Sequence, residues 1–233
     1  MFNEFAVIDF ETTGLSADYC RVIEVAAVIV RNGEVADSFV ELMHPGCRLP
    51  YIITDLTGIT DAMLKGKPKP ESVMPKLKDF IGDRLCIAHN ATFDSGFYHA
   101  EMGRAGIAHD RTFFCTMKLS RRLILDSPRH KLSILADHLN LPRPEEGKCH
   151  RALYDVLLTV ELWKHIECVI RKRIGKAPDQ EIYQTIMKKS KGAVPKYLDM
   201  MLSQSAEKDM VTNVKVNRKR SNKNNVNSSS DKL

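Results

Sequence analysis

The chain has 233 residues, 43% of them hydrophobic, and a formal net charge of +6, which is enough apolar content for a sizeable core. No run of about 18 uncharged apolar residues occurs, and Met1-Phe2-Asn3-Glu4 lacks the basic start and long apolar stretch of a signal peptide, so the expectation is a soluble, cytoplasmic protein with no membrane partner. Six scattered cysteines (Cys20, Cys47, Cys86, Cys115, Cys149, Cys168) contain no C-x-x-C pair, which argues against a zinc ribbon or a disulfide framework.

Phe5-Ala6-Val7-Ile8 reads as an opening strand that runs into Asp9-Phe10-Glu11-Thr12-Thr13-Gly14-Leu15 and a turn. A strand puts residues i and i+2 on one face, so Asp9 and Glu11 point their carboxylates the same way. Like charges held close resist ionising together unless a cation or hydrogen-bond donor lies between them, and a divalent metal answers that need. Gly14 lets backbone and hydroxyls approach a ligand without a Cβ in the way. The plain alternative is a polar turn at a strand end.

Val22 to Val30 and Glu34 to Val40, joined through Arg31-Asn32-Gly33, read as an antiparallel hairpin. Glu24 interrupts the first of these runs and reads as an acid paired across the sheet, with a supporting role near metals as the other reading. His44 to Pro70, with four of the ten prolines, reads as loop except for a short helix over Asp61 to Leu64. Ser72 to Ile81 shows helical spacing, Arg84 to His89 reads as a fourth strand, and Asn90 follows as a helix N-cap. Asp94 then falls in that helix's first turn, at the sheet edge where open α/β folds place their sites.

Thr112 to Cys115 reads as a fifth strand, followed by a helix through Leu123 and another over Lys131 to Leu139. Pro142 to Lys148 reads as loop. Ala152 to Ile174 reads as a long helix whose core face carries Leu153, Val156, Val160, Trp163 and Ile170. The expected fold class is therefore α/β, a mixed five-stranded sheet flanked by helices, occupying residues 1–174. Residues 175–204 read as a small helical appendage, and residues 205–233, rich in Asn, Ser and Lys, as a basic low-complexity tail. Lys plus Arg number 20 against 23 acids in residues 1–170, but 15 against 6 in residues 171–233, so the basic excess belongs to the last quarter. A polyanion partner or a solvated tail accounts for it equally.

A third cluster, His150-Arg151-Ala152-Leu153-Tyr154-Asp155, brings a histidine within reach of an acid. Five residues on one continuous helix stand about 140° apart, so His150 and Asp155 serve one site only where His150 precedes the helix. Together, Asp9-x-Glu11-Thr12-Thr13-Gly14, His89-Asn90-x-x-Phe93-Asp94 and His150-x-x-x-x-Asp155 resemble in order and spacing the three motifs of the DnaQ-like 3′-to-5′ exonucleases, the histidine-containing DEDD group with an RNase H-like fold. Cys115 to Leu123 and His150 to Asp155 look most like the exodeoxyribonuclease X branch.

The resemblance implies that Asp9, Glu11, Asp94 and Asp155 hold two Mg²⁺ or Mn²⁺ ions and that His150 is the general base. It implies substrate contacts from Thr12, Thr13, Gly14 and Leu15, the last packing on the terminal base unless it is ordinary core. His89 and Asn90 shape the second motif, and Arg129, His130, Lys131, Lys148 and Arg151 are candidates for phosphate contact. The expected activity is release of 5′-mononucleotides from DNA 3′ ends, in repair. Rival readings are a polymerase proofreading subunit, an exoribonuclease and a non-enzymatic nucleic-acid-binding scaffold. A homodimer and a protein partner for the C-terminal appendage stay open.

Overall fold

The computed structural model describes residues 4–108, 110–144 and 151–204. Three antiparallel strands open the chain: β1 (Glu4–Thr12), β2 (Val22–Arg31) and β3 (Glu34–Leu42). Asn32 and Gly33, both at positive φ, make the tight turn between β2 and β3. Then follow α1 (Tyr51–Thr57), α2 (Asp61–Leu64), α3 (Pro70–Ile81), β4 (Leu85–Ala88), α4 (Ala91–Arg104), β5 (Phe113–Cys115), α5 (Thr116–Leu123), α6 (Leu132–His138), α7 (Ala152–Ile174) and α8 (Gln180–Lys188). Strand order is β3-β2-β1-β4-β5, with β4 parallel to both neighbours, so the sheet is mixed and five-stranded as expected.

Strand alternation divides the core between two faces. Phe5 and Val7 on β1, with Ala26, Val28 and Val30 on β2, face α5, α7 and α8. Ala6, Ile8 and Phe10, with Val25, Ala27 and Ile29, face α3 and α4. Odd-numbered β1 residues thus continue the α7 face, and this parity carries Asp9 and Glu11 toward α7. Even-numbered β2 residues do the same, so Glu24 joins them, directly opposite Glu11 in the strand register.

The sequence reading departs from the structure at three places. Helix α1 replaces an expected loop: its Ile52-Ile53-Thr54 run has poor helix propensity, and the segment is instead ended by Gly58, whose N–H bonds to the Thr54 carbonyl, while Ile53 packs against Ile23, Ile59 and Leu64. Asn90 is not a side-chain cap. It lies at φ 63° with its amide exposed, and only its carbonyl is engaged, by Phe93 N–H at 2.8 Å. Leu153 is 37% exposed rather than on the core face of α7, because Ala152, with Val156 one turn on, takes the inward position.

Helix α7 ends at Gly175, which adopts the left-handed conformation with φ 72°. The chain after it returns to the α7 face of the sheet, where Ile182, Tyr183, Ile186, Val194 and Leu198 are buried and the Tyr183 ring stacks on Trp163 at 4.6 Å. Burying side chains of this size contributes about 1.5–3 kcal/mol each. Residues 175–204 therefore share a core with α7.

Candidate metal centre

Asp9 and Glu11 project from the last half of β1, and Asp155 projects from the first turn of α7. The three offer carboxylate oxygens that lie within 4.8 Å of one another. A groove of about 340 Å³ opens on Asp9 and Asp155 and is lined further by His89, Met117, Lys131, Leu132 and Ser133.

Asp94 arrives from the opposite side of the sheet. It is 1% exposed on α4, and its carboxylate accepts the Phe10 N–H at 3.3 Å. It stands outside the triad of converging oxygens, yet its charge bears on Asp9.

Electrostatics make the cluster a strained one without a cation. Burial, then the charges of Asp94, Glu11, Asp155 and Glu24, push the Asp9 carboxyl well above its usual range. Burial also raises Asp94. Glu11 is pushed up to about 8, first by burial and then by Asp155 and Glu24, with Arg151 opposing. Crowded oxygen donors that cannot all ionise alone fit a hard divalent cation such as Mg²⁺ or Mn²⁺.

A pH dependence follows for the metal-free protein. The folded-state pKa of Glu11, about 8, lies above its ordinary 4.5, so its contribution to stability is complete below about pH 4.5 and is lost as pH rises through 8. Asp9 acts in the same direction. Thermal midpoints measured in chelator should fall between pH 5 and 8.5, and added Mg²⁺ should restore more at pH 8.5 than at pH 5. A midpoint that rises with pH in chelator would contradict the charge crowding.

Glu24 secures the helix that carries Asp155. Only 1% exposed, it accepts Arg151 Nη2 at 2.5 Å and Nε at 3.1 Å, and the Ala152 N–H at 3.0 Å. A carboxylate at a helix start also meets the positive end of the helix dipole. Sequence reading expected Glu24 to be paired and Arg151 to be free for phosphate. Glu24 is paired, but not across the sheet, where Glu11 and Leu42 face it: its partner is Arg151 at the start of α7, and two of the Arg151 donors are therefore engaged inside the protein. His150 and Lys148 lie outside the described residues.

The turn after Glu11 begins with a register shift between Glu11 and Thr12. Thr12 Oγ1 donates to the Gly14 carbonyl at 2.6 Å, and Thr13 Oγ1 accepts the Arg21 N–H at 3.0 Å. A Cβ on Gly14 would sit 2.8 Å from Cys20 Sγ, so any larger residue there would have to displace the Cys20 side chain. Leu15 is not core: it is 89% exposed, as is Tyr19 on the same loop. Arg104 holds the loop from below by donating to the carbonyls of Ala17, Asp18 and Cys20, and buried Glu101 binds Arg21 at 2.8 Å. These two braces were missed in the sequence, because residues 80 positions apart give no local signal.

His89 is neutral and structural in its contacts. Burial lowers its pKa to about 4. Its Nε2 donates to the His130 carbonyl at 3.0 Å, which leaves Nδ1 to accept from the Thr116 hydroxyl at 2.9 Å. His130 Nδ1 in turn meets Ser120 Oγ at 3.0 Å. This chain of bonds ties the end of β4 to α5 and to the segment that delivers Lys131 into the groove.

With the geometry in place, residues 6–163 match the family model RNase_T, described as Exonuclease. The chain belongs to the DnaQ-like exonuclease family. Among curated members it is similar to the PolC-type DNA polymerase III of Halalkalibacterium halodurans, at 41% identity over 167 residues, and of Clostridium perfringens, at 37% over 162 residues. These stretches cover 71% and 70% of the chain but 11% of each polymerase, so the chain spans about a tenth of the length of those relatives. Among solved exonucleases, Exonuclease X in complex with 5′ overhanging duplex DNA aligns at TM-score 0.61 and 28% identity, over 78% of this chain and 99% of that one. E. coli Exonuclease I in complex with a dT13 oligonucleotide aligns at TM-score 0.63 and 16% identity, over 74% and 42%, a likeness of fold. Among the described residues of this exonuclease no helix is long and apolar enough to cross a membrane.

Proposed function

We propose that this exonuclease is a metal-dependent 3′-to-5′ exodeoxyribonuclease that releases 5′-mononucleotides. The observation that carries the reading is the convergence of Asp9, Glu11 and Asp155 at the end of the sheet, beside a groove of about 340 Å³ that opens on Asp9 and Asp155. Asp9, Glu11, Asp94 and Asp155 would hold two Mg²⁺ or Mn²⁺ ions, with Asp94, whose charge bears most on Asp9, also accepting the Phe10 N–H. Bound there, the ions supply neutralisation of phosphate charge and a lowered pKa for the attacking water.

The remaining work falls to side chains. His150 is the general base for the water's proton, since imidazole as a side-chain type changes charge near neutral pH, at about 6.5 when unperturbed. Lys131 brings positive charge to the groove opposite the acids. Exposed Leu15 packs on the terminal base, while Thr12, Thr13 and Gly14 shape the loop that presents it, and the exposed amide of Asn90 meets the nucleotide.

Single-stranded DNA labelled at the 5′ end, incubated with Mg²⁺, should yield a single-nucleotide ladder that chelator abolishes. The same strand labelled at the 3′ end should lose its label in the first step. Cutting of circular DNA, or shortening only from the 5′ end, would defeat the reading. RNA run in parallel decides the sugar preference, since the metal centre acts on the phosphate and contacts to the 2′-hydroxyl decide the rest.

A second reading has support from the polymerase relatives: removal of mismatched 3′ ends during DNA synthesis rather than end trimming in repair. Faster removal of a mismatched than of a paired terminal nucleotide, by about tenfold or more, would favour proofreading.

A further inference from the structure

A second cavity, larger than the catalytic groove at about 520 Å³, lies beside it along the edge of the sheet. Met117 lines the catalytic groove and Lys118, the next residue, lines this cavity, so the first turn of α5 is the partition between them. The cavity follows α4 from Thr92 to His99, about 10 Å at 1.5 Å per residue. Its outer wall is α8, through Met187 and Lys188. That helix lies beyond residues 6–163 that match the family, so this chain's own extension completes the cavity.

The lining is basic. Arg111, Lys118 and Lys188 contribute to it, and no acid does. Arg111 is committed to the carbonyls of Arg84 and Gly82. The exposed Lys118 and Lys188 side chains have no hydrogen bond or ion pair among the described residues. Two unpaired cations on the neighbouring helices α5 and α8, both lining one elongated cavity, favour an extended anion. The chain's own residues 205–233 do not suit it, having seven Lys and Arg against three Asp and Glu.

We propose that this cavity is a second polynucleotide groove, which takes the phosphodiester backbone of the strand whose 3′ end occupies the catalytic groove. The proposal rests on the exonuclease reading above for the placing of that end. Its chemistry is that of a sequence-independent backbone site: Lys118 and Lys188 neutralise phosphates, and Thr92 offers a hydroxyl at its rim.

The test is binding of the full chain to fluorescent single-stranded DNA in chelator, so that no turnover is needed. Oligonucleotides of about 20 and about three nucleotides are compared across a salt series. In K118A/K188A, affinity for the longer strand should fall about tenfold at 0.1 M salt, and the slope of log Kd against log salt should flatten by about 1.4, two phosphates' worth. The trinucleotide, too short to leave the catalytic groove, should be unaffected. K172A/K176A removes two charges near the far end of α7, about 30 Å from its start, and should leave both affinities unchanged.

Equal losses in the two double variants, or equal losses for long and short DNA, would each overturn the proposal. Absence of a Mg²⁺-dependent ladder would strike the reaction assigned to the catalytic groove and leave this binding comparison standing.

Discussion

Asp9→Asn is expected to lower turnover of DNA by about a thousandfold or more, while the metal-free protein becomes more resistant to heat. Both effects have one cause. Asp9 is surrounded by Asp94, Glu11, Asp155 and Glu24, and its carboxyl is held well above the usual range by burial and by those charges. In the absence of a cation, an ionised Asp9 opposes folding at neutral pH, and an amide of the same shape removes that opposition. In the presence of Mg²⁺ the order reverses: the native protein gains stability from the ion and the variant gains little. Thermal midpoints with and without Mg²⁺, alongside the labelled-strand assay, separate a catalytic metal centre from a scaffold. Retention of activity by the variant would remove Asp9 from the reaction.

Glu24→Ala should lower both stability and activity although Glu24 touches neither metal nor substrate. The side chain is buried and satisfies both the Arg151 guanidinium and the Ala152 N–H. Breaking a fully buried pair costs about 3–5 kcal/mol, and since the Arg151 side chain is 36% exposed, about 2–3 kcal/mol is the reasonable figure. For a domain of this size that is a fall of about 4–12 °C in thermal midpoint. Glu24 also raises the carboxyls of Asp9 and Glu11, so its removal relieves some repulsion. Burial and hydrogen bonding outweigh that relief, because two donors lose their acceptor at once.

The consequence for activity comes through α7. Asp155 lies one turn beyond Arg151, and a helix start released from Glu24 shifts that carboxylate relative to β1. A displacement of about 1 Å suffices to lower kcat by about a hundredfold. Glu24→Gln keeps an acceptor for one donor and should fall between wild type and Glu24→Ala in both measurements. Were Glu24 merely one more repelling acid, Glu24→Gln would be more stable than wild type and fully active.

Much of this was legible from local pattern. Alternation in Phe5 to Glu11 placed two acids on one face, Asn-Gly marked the hairpin, and an apolar stripe marked α7 to the residue. Helix α1 was not legible, because β-branched residues between Pro50 and Gly58 favour loop locally and only packing of Ile53 on Ile23 holds them helical. Asn90 was legible as the residue that opens α4, but not its left-handed backbone, set in the turn out of β4, which leaves its side chain without a cap hydrogen bond. Glu24 did leave a trace, a lone acid in an apolar strand, but nothing near it in the sequence points to Arg151, 127 positions away.

Periodicities of two and 3.6 residues, which any short window displays, were sufficient for the sheet and most helices, while the acids and the family were legible through the resemblance of three separated motifs. Tertiary structure alone decided that Asp9, Glu11 and Asp155 converge and that Asp94, carried in on α4, binds the Phe10 N–H beside them. It alone decided that Leu15 projects into solvent, and that α8 closes a basic cavity beside the groove. Those outcomes depend on which face of the sheet each helix covers, a choice made by burial summed over the whole core and written in no single segment.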